Sequence, residues 1–145
     1  MPVLHLGVID QPYNEPPGKG QKRIGAETTG DVAEILEKKY HVMEVFYGKY
    51  KADIAKDLET SLVGALENLL MGAPATADPF ASASSKIENK FRKFLTNKEM
   101  DGRAGIPTEA SLLGISHRFK RMRGPPRPSF IDTGLYENSF KAWID

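Results

Sequence analysis

Residues 41–72 read HVMEVFYGKYKADIAKDLETSLVGALENLLMG, and the architecture turns on how this stretch folds. Val42, Phe46, Tyr50, Ile54, Leu58, Leu62, Leu66 and Leu70 recur at every fourth position. That spacing predicts one long amphipathic helix, about 45 Å from end to end at 1.5 Å per residue. With 3.6 residues per turn, each step of four rotates the stripe by about 40°. Between Val42 and Leu70 the stripe therefore travels most of the way round, beyond the reach of one flat partner. Either the helix breaks, with Gly48 and Gly64 as the weak points, or its two ends pack on different partners. A core helix bent around its own sheet and a helix partly covered by another subunit both fit the pattern.

Outside this stretch the elements are shorter. VLHLGVI at 3–9 suits a strand. DQPYNEPPGKGQKRIGAETTG at 10–30 is rich in Pro and Gly and too long for an ordinary connection, so it is expected to be an extended arm or a functional loop. Its Gly18-Lys19-Gly20 lacks the first glycine and the hydroxyl residue of a phosphate loop. Thr28 or Thr29 can cap a helix at Asp31, with Val32, Ile35 and Leu36 on one face. The small residues and prolines of 72–79 end the long helix. Ser84 or Ser85 can open a further helix with Ile87, Phe91, Phe94 and Leu95 on its apolar face and Lys86, Lys90, Arg92 and Lys93 on its solvated one. Thr108 can cap a short helix through Leu112 and Leu113. Residues 116–123 alternate like a strand with a basic side.

At 145 residues the chain is long enough for a single domain, 1–145, with its own core. Without cysteine there is no disulfide, thiolate ligand or thiol nucleophile. His5, His41 and His117 have no metal-ligand spacing, so neither a metal nor another cofactor is expected. The first ten residues lack the basic flank and apolar length of a signal peptide, and no segment is apolar for long enough to span a bilayer. A cytoplasm-like compartment is the expectation. The net charge of +1 is unevenly placed: residues 1–75 hold 8 Lys/Arg and 11 Asp/Glu (−3), and residues 76–145 hold 12 and 8 (+4). Residues 79–127 hold 11 basic and 4 acidic (+7), a distribution that suits a polyanion or an oppositely charged neighbouring subunit.

Near the C-terminus, FIDTG at 130–134 has the look of an aspartic protease loop. A protease built on Asp132 needs a second carboxylate sharing its proton, hence a homodimer, because the chain holds no second Asp-Thr-Gly. It also needs flaps and cleft walls, yet only 11 residues follow Gly134. Those residues place Tyr136, Phe140, Trp143 and Ile144 at i, i+4, i+7 and i+8, the pattern of a closing helix anchored by Tyr136, Phe140 and Trp143. Asp132, Thr133 and Gly134 then serve as its cap, with a side-chain oxygen for an orphan N–H and a glycine for the turn. Neither Gly-x-Ser-x-Gly nor His-Glu-x-x-His occurs, and no catalytic residue is assigned.

TTGDVAEILEKKYHVMEVFYGKY at 28–50 resembles the leading helices of myovirus-type neck proteins. RPSFIDTGLYENSFKAWID at 127–145 resembles the C-terminal signature of tailed-bacteriophage tail-completion and head–tail joining proteins. The resemblance implies an α+β fold of long helices packed on a small antiparallel sheet, with an extended Pro/Gly-rich arm. It also implies a non-enzymatic virion protein, assembled in the host cytoplasm into a homo-oligomeric ring, commonly of six subunits. The ring would sit between the head connector and the tail and line the DNA passage. Arg118, Lys120, Arg121, Arg123 and Arg127 would then face an acidic neighbour or the DNA. The alternatives are a nucleic-acid-binding protein using residues 86–127 and a dimeric aspartic protease using Asp132.

Overall fold

Residues 2–12, 28–113, 126–131 and 135–145 are described by the computed structural model. Their elements run β1 (Leu4–Val8), α1 (Thr29–Tyr40), α2 (Val42–Leu70), α3 (Ala81–Thr96), α4 (Glu109–Leu113), α5 (Leu135–Ser139) and β2 (Phe140–Ile144). This is an α+β fold in which helices pack on a small two-stranded antiparallel sheet. Most of the expected arm, residues 13–27, lies outside the described residues, as does the expected basic strand at 116–123.

The two flanks of 13–27 are held together. Thr29 is fully buried; its N–H donates to the Gln11 carbonyl at 2.9 Å, and its hydroxyl donates to the Ile9 carbonyl at 2.6 Å. The same hydroxyl accepts from Gln11 N–H at 2.8 Å. Asp10 Oδ1 accepts from Gly30 N–H at 3.0 Å, so close that a Cβ at Gly30 would meet it at 2.8 Å. Hydrogen bonds from the Thr28 side chain and the Gly30 amide hold the Asp10 carboxyl below its ordinary value. Residues 9–11 and 29–30 are thereby bonded side by side.

At the start of α1, Asp31 N–H donates to Thr28 Oγ1 at 3.2 Å and Thr28 N–H donates to Asp31 Oδ2 at 3.1 Å. This reciprocal cap satisfies two orphan donors and contributes about 1 kcal/mol. His41 adopts a left-handed conformation (φ 54°) that ends α1 and lets the chain turn into α2. The Glu37 carboxylate accepts from the first amides of α2, Met43 N–H at 2.8 Å and Glu44 N–H at 3.1 Å.

α2 is one unbroken helix, and Gly48 and Gly64 remain inside it. The fourfold stripe is buried at Val42, Phe46 and Ile54, half-buried at Tyr50 and Leu58, and exposed at Leu62, Leu66 and Leu70. The drift explains the gradient. Relative to Phe46, the last three positions are rotated by about 160°, 200° and 240°, away from the face that meets the core.

α3 runs antiparallel to α2, as three cross-links show: Lys49 to Glu99, Lys90 to Asp57, and the Ser61 hydroxyl to the Pro79 carbonyl. It begins at Ala81, ahead of the expected Ser84 or Ser85, because Asp78 accepts from Phe80 N–H at 2.9 Å and starts the turn earlier. Ile87, Phe91, Phe94 and Leu95 are all buried, with Ala83 added to that face. They meet Phe46 in an aromatic cluster in which Phe91 stacks on Phe140 at 3.9 Å and meets Phe46 edge-on at 5.2 Å.

The expected closing helix is corrected. Only Leu135–Ser139 is helical; Phe140–Ile144 is a strand. β2 pairs with β1 in the register Leu4↔Ile144, His5↔Trp143, Leu6↔Ala142, Gly7↔Lys141 and Val8↔Phe140. A five-residue run, Phe-Lys-Ala-Trp-Ile, satisfies a period of two as well as it satisfies 3.6, and the backbone demand of β1 for a partner decides between them.

Candidate functional site

The C-terminal segment acts as a clasp joining the chain's two ends. Tyr136 and Phe140 are buried in the aromatic cluster, while Trp143 lies on the opposite face of β2 and is 46% exposed. Successive side chains of a strand point to opposite faces, so Phe140 and Trp143 cannot both face inward. Trp143 is thus no buried anchor; it stacks on His5 across the sheet, with centroids 5.2 Å apart and planes 12° from parallel. Its ring lies over Gly7, where an added Cβ would come within 3.1 Å of it.

The edge of β2 is tied to α3 by a residue the periodicity did not single out. Glu88 is 8% exposed, and its Oε1 accepts from Ala142 N–H at 3.2 Å, with Lys141 Nζ 3.7 Å from Oε2. The amide of Ala142 points away from β1 in this register, and the carboxylate supplies the acceptor that a third strand would otherwise provide. A signal was present in the sequence: Glu88 sits three residues before Phe91, on the apolar side of its helix.

A second polar cluster joins α2 to the turn after α3. Glu99 accepts from the Tyr50 hydroxyl at 2.5 Å and from Lys49 Nζ. Burial opposes charge on Glu99, but the hydrogen bonds from Lys49 and Tyr50 outweigh it and hold the carboxyl below its ordinary value. For Tyr50 the hydrogen bond to Glu99, then burial, then the negative charges of Glu99 and Asp53 push the phenol up to about 12 from 10.0. Because the folded value lies above the unfolded one, this stabilisation is complete below pH 10 and is lost as pH rises towards 12. An alkaline absorbance titration should therefore show a late tyrosine transition near pH 12, and Glu99→Gln should bring that transition back towards 10. An unchanged late transition in Glu99→Gln would refute the assignment.

Glu37, His41 and Glu44 bring three metal-ligating atoms within 4.8 Å of one another. Both Glu37 oxygens are engaged with α2 amides, and His41 Nδ1 lies 3.0 Å from Glu44 Oε2, so the group is accounted for as a helix cap with an exposed His–Glu contact beside it. The buried hydroxyls of Ser111 and Ser129 bond each other at 3.1 Å, and Ser129 Oγ accepts from Thr108 N–H. They fasten α4 to residues 126–131.

Of the residues proposed to face DNA or an acidic neighbour, Arg118, Lys120, Arg121 and Arg123 lie outside the described residues. Arg127 is half-buried; its Nε donates to the Ile131 carbonyl at 2.8 Å and its N–H donates to the Ser111 carbonyl at 3.0 Å. Asp132, Thr133 and Gly134 also lie outside the described residues. Phe130, just before them, has φ 70° and packs its ring against Tyr40 at 5.1 Å.

Among the described residues, the end of α2 leaves an apolar face exposed. Leu62, Val63, Leu66, Leu69 and Leu70, followed by Met71, are all at least 42% exposed on the last turns of α2. Residues 60–77 around them carry a single charge, Glu67. No helix among the described residues is long and apolar enough to cross a membrane. A face of this kind can do one thing chemically, which is to bury itself against another apolar surface. No protein-family model matches the chain, and no curated protein or solved structure is similar to it.

Proposed function

We propose that this chain is a structural subunit of a tailed-bacteriophage neck, forming a homo-oligomeric ring that completes the tail and joins it to the head connector. The observation that carries the reading is the pair of apolar faces on α2. One is buried in the chain's own core, and the other lies on the far side, exposed. An isolated globular chain gains nothing from a row of exposed leucines, whereas an assembling subunit needs them. The resemblance of 28–50 and 127–145 to neck and tail-completion proteins supplies the place in the virion. The opposite charges of the two halves, −3 and +4, suit head-to-tail contacts between neighbouring copies.

The nucleic-acid alternative rests on the +7 of residues 79–127. Two of the described cations in that range are already committed within the chain, Lys90 to Asp57 and Arg127 to Ile131. Light scattering and negative-stain imaging of the purified chain should show an oligomer with a central hole. Duplex DNA titrated at about 150 mM salt should bind negligibly. A monodisperse monomer that binds duplex DNA tightly under these conditions would reverse the choice. Asp132→Asn should assemble like the wild type, an outcome a protease active as a homodimer would also allow, so peptide hydrolysis is assayed in the same samples and should be absent from both.

A further inference from the structure

We infer that neighbouring copies meet through unlike ends of the α2–α3 pair. The exposed apolar end of α2, bordered by Glu59 and Glu67, seats on the next copy's turn after α3, at Lys93, Lys98 and Arg103. This rests on reading the chain as a ring-forming subunit, and it names the two surfaces that meet. The antiparallel packing of α3 on α2 holds those surfaces apart on one molecule. Glu99 is bonded to Lys49 and Tyr50, so the turn after α3 stands beside the first half of α2. Leu66 lies 16 residues beyond Tyr50, about 24 Å further along the helix. Two unlike surfaces at opposite ends of one chain repeat head to tail between copies.

Charge selects the occupant. From 57 to 85 the chain carries Asp57, Glu59, Glu67 and Asp78 and no Lys or Arg. Lys90 pairs with Asp57, and Glu59, Glu67 and Asp78 are left exposed. Glu59 sits seven residues before Leu66 and Glu67 four after Val63, so both carboxylates stand on or beside the leucine face. At the other end, Lys93, Lys98 and Arg103 are exposed, and none of them forms an ion pair among the described residues. Of the carboxylates between them, Glu99 is held by Lys49 and Tyr50, which leaves Asp101. The long stems of lysine and arginine cover apolar surface while their charged heads reach outward, so one such turn answers both the leucines and the carboxylates. The acidic border of the leucine face repels nucleic acid and anionic lipid, and it is matched by a cationic turn that every copy carries.

Charge reversal tests the pairing, because all five side chains are exposed and can change without emptying the core. One variant combines Glu59→Lys with Glu67→Lys; the other combines Lys93→Glu, Lys98→Glu and Arg103→Glu. Each should keep the wild-type circular dichroism yet fall to the single-chain mass in light scattering at about 50 mM salt. An equimolar mixture should regain the wild-type mass, since every reversed end then finds an opposite one. If the wild type assembles and both variants assemble as it does, or the mixture stays at the single-chain mass, the pairing is wrong while the subunit reading stands. If reversing the cationic turn leaves assembly intact and removes binding to duplex DNA, the turn serves nucleic acid and the pairing is equally wrong. If the wild-type chain stays monomeric throughout, both readings are wrong.

Discussion

Phe91→Ala is expected to remove about 3–5 kcal/mol of stability, the range for emptying a large aromatic site in a core. The upper half of that range applies because Phe91 is fully buried and is the common neighbour of four elements. Its ring stacks on Phe140 of β2 at 3.9 Å, meets Phe46 of α2 at 5.2 Å and Tyr136 of α5 at 6.2 Å, and lies 6.4 Å from Phe94 on α3 itself. Rigid rings on several sides cannot close over the cavity, so the lost contacts are not recovered. Against a total of roughly 5–15 kcal/mol for an ordinary domain, the variant should melt about 10–15 °C lower or fail to fold. Urea unfolding followed by far-ultraviolet circular dichroism measures the loss directly. A value below about 1.5 kcal/mol, the cost of a volume-conserving swap, would mean that Phe91 is not the hub described here.

Phe140→Ala and Trp143→Ala should differ widely although the two residues are three apart on one short strand. Phe140 is fully buried between Phe46 and Phe91, and its truncation should cost about 3–5 kcal/mol. Trp143 stands on the outer face, half exposed, stacked on His5 and lying over Gly7, and a cross-strand pair of this kind contributes about 1 kcal/mol or less. A helix through 136–144 would make the two comparably severe, because both would lie on its inner face. Denaturation midpoints of the two variants therefore test the strand assignment itself. Equal losses, or a larger loss for Trp143→Ala, would refute the register of β1 with β2.

These two aromatic residues also show where reading the chain by pattern works and where it stops. For α2 the spacing of four runs through eight positions, and a signal that long overrides its two glycines. The same arithmetic predicted that the stripe would leave the core face, and the exposed Leu62, Leu66 and Leu70 are its consequence. Thr28 as the cap of α1 and the apolar face of α3 were legible for a similar reason: each is a local rule with its partners within four residues. Residues 140–144 offered five positions, too few to separate one period from another. Glu88 stands out only as a charge on the apolar side of its helix; the backbone amide that needs it lies 54 positions later.

The amino-acid sequence by itself determined α1 with its cap at Thr28 or Thr29, the apolar face of α3 and the rotation of the apolar stripe along α2, because those depend on neighbours a few residues apart. Only the tertiary structure decided that the last residues are a strand, that Trp143 faces outward, and that Glu88 and Glu99 hold elements together. Each of those outcomes depends on a partner far away in the chain, and local periodicity can mark a face for burial without naming the partner that covers it.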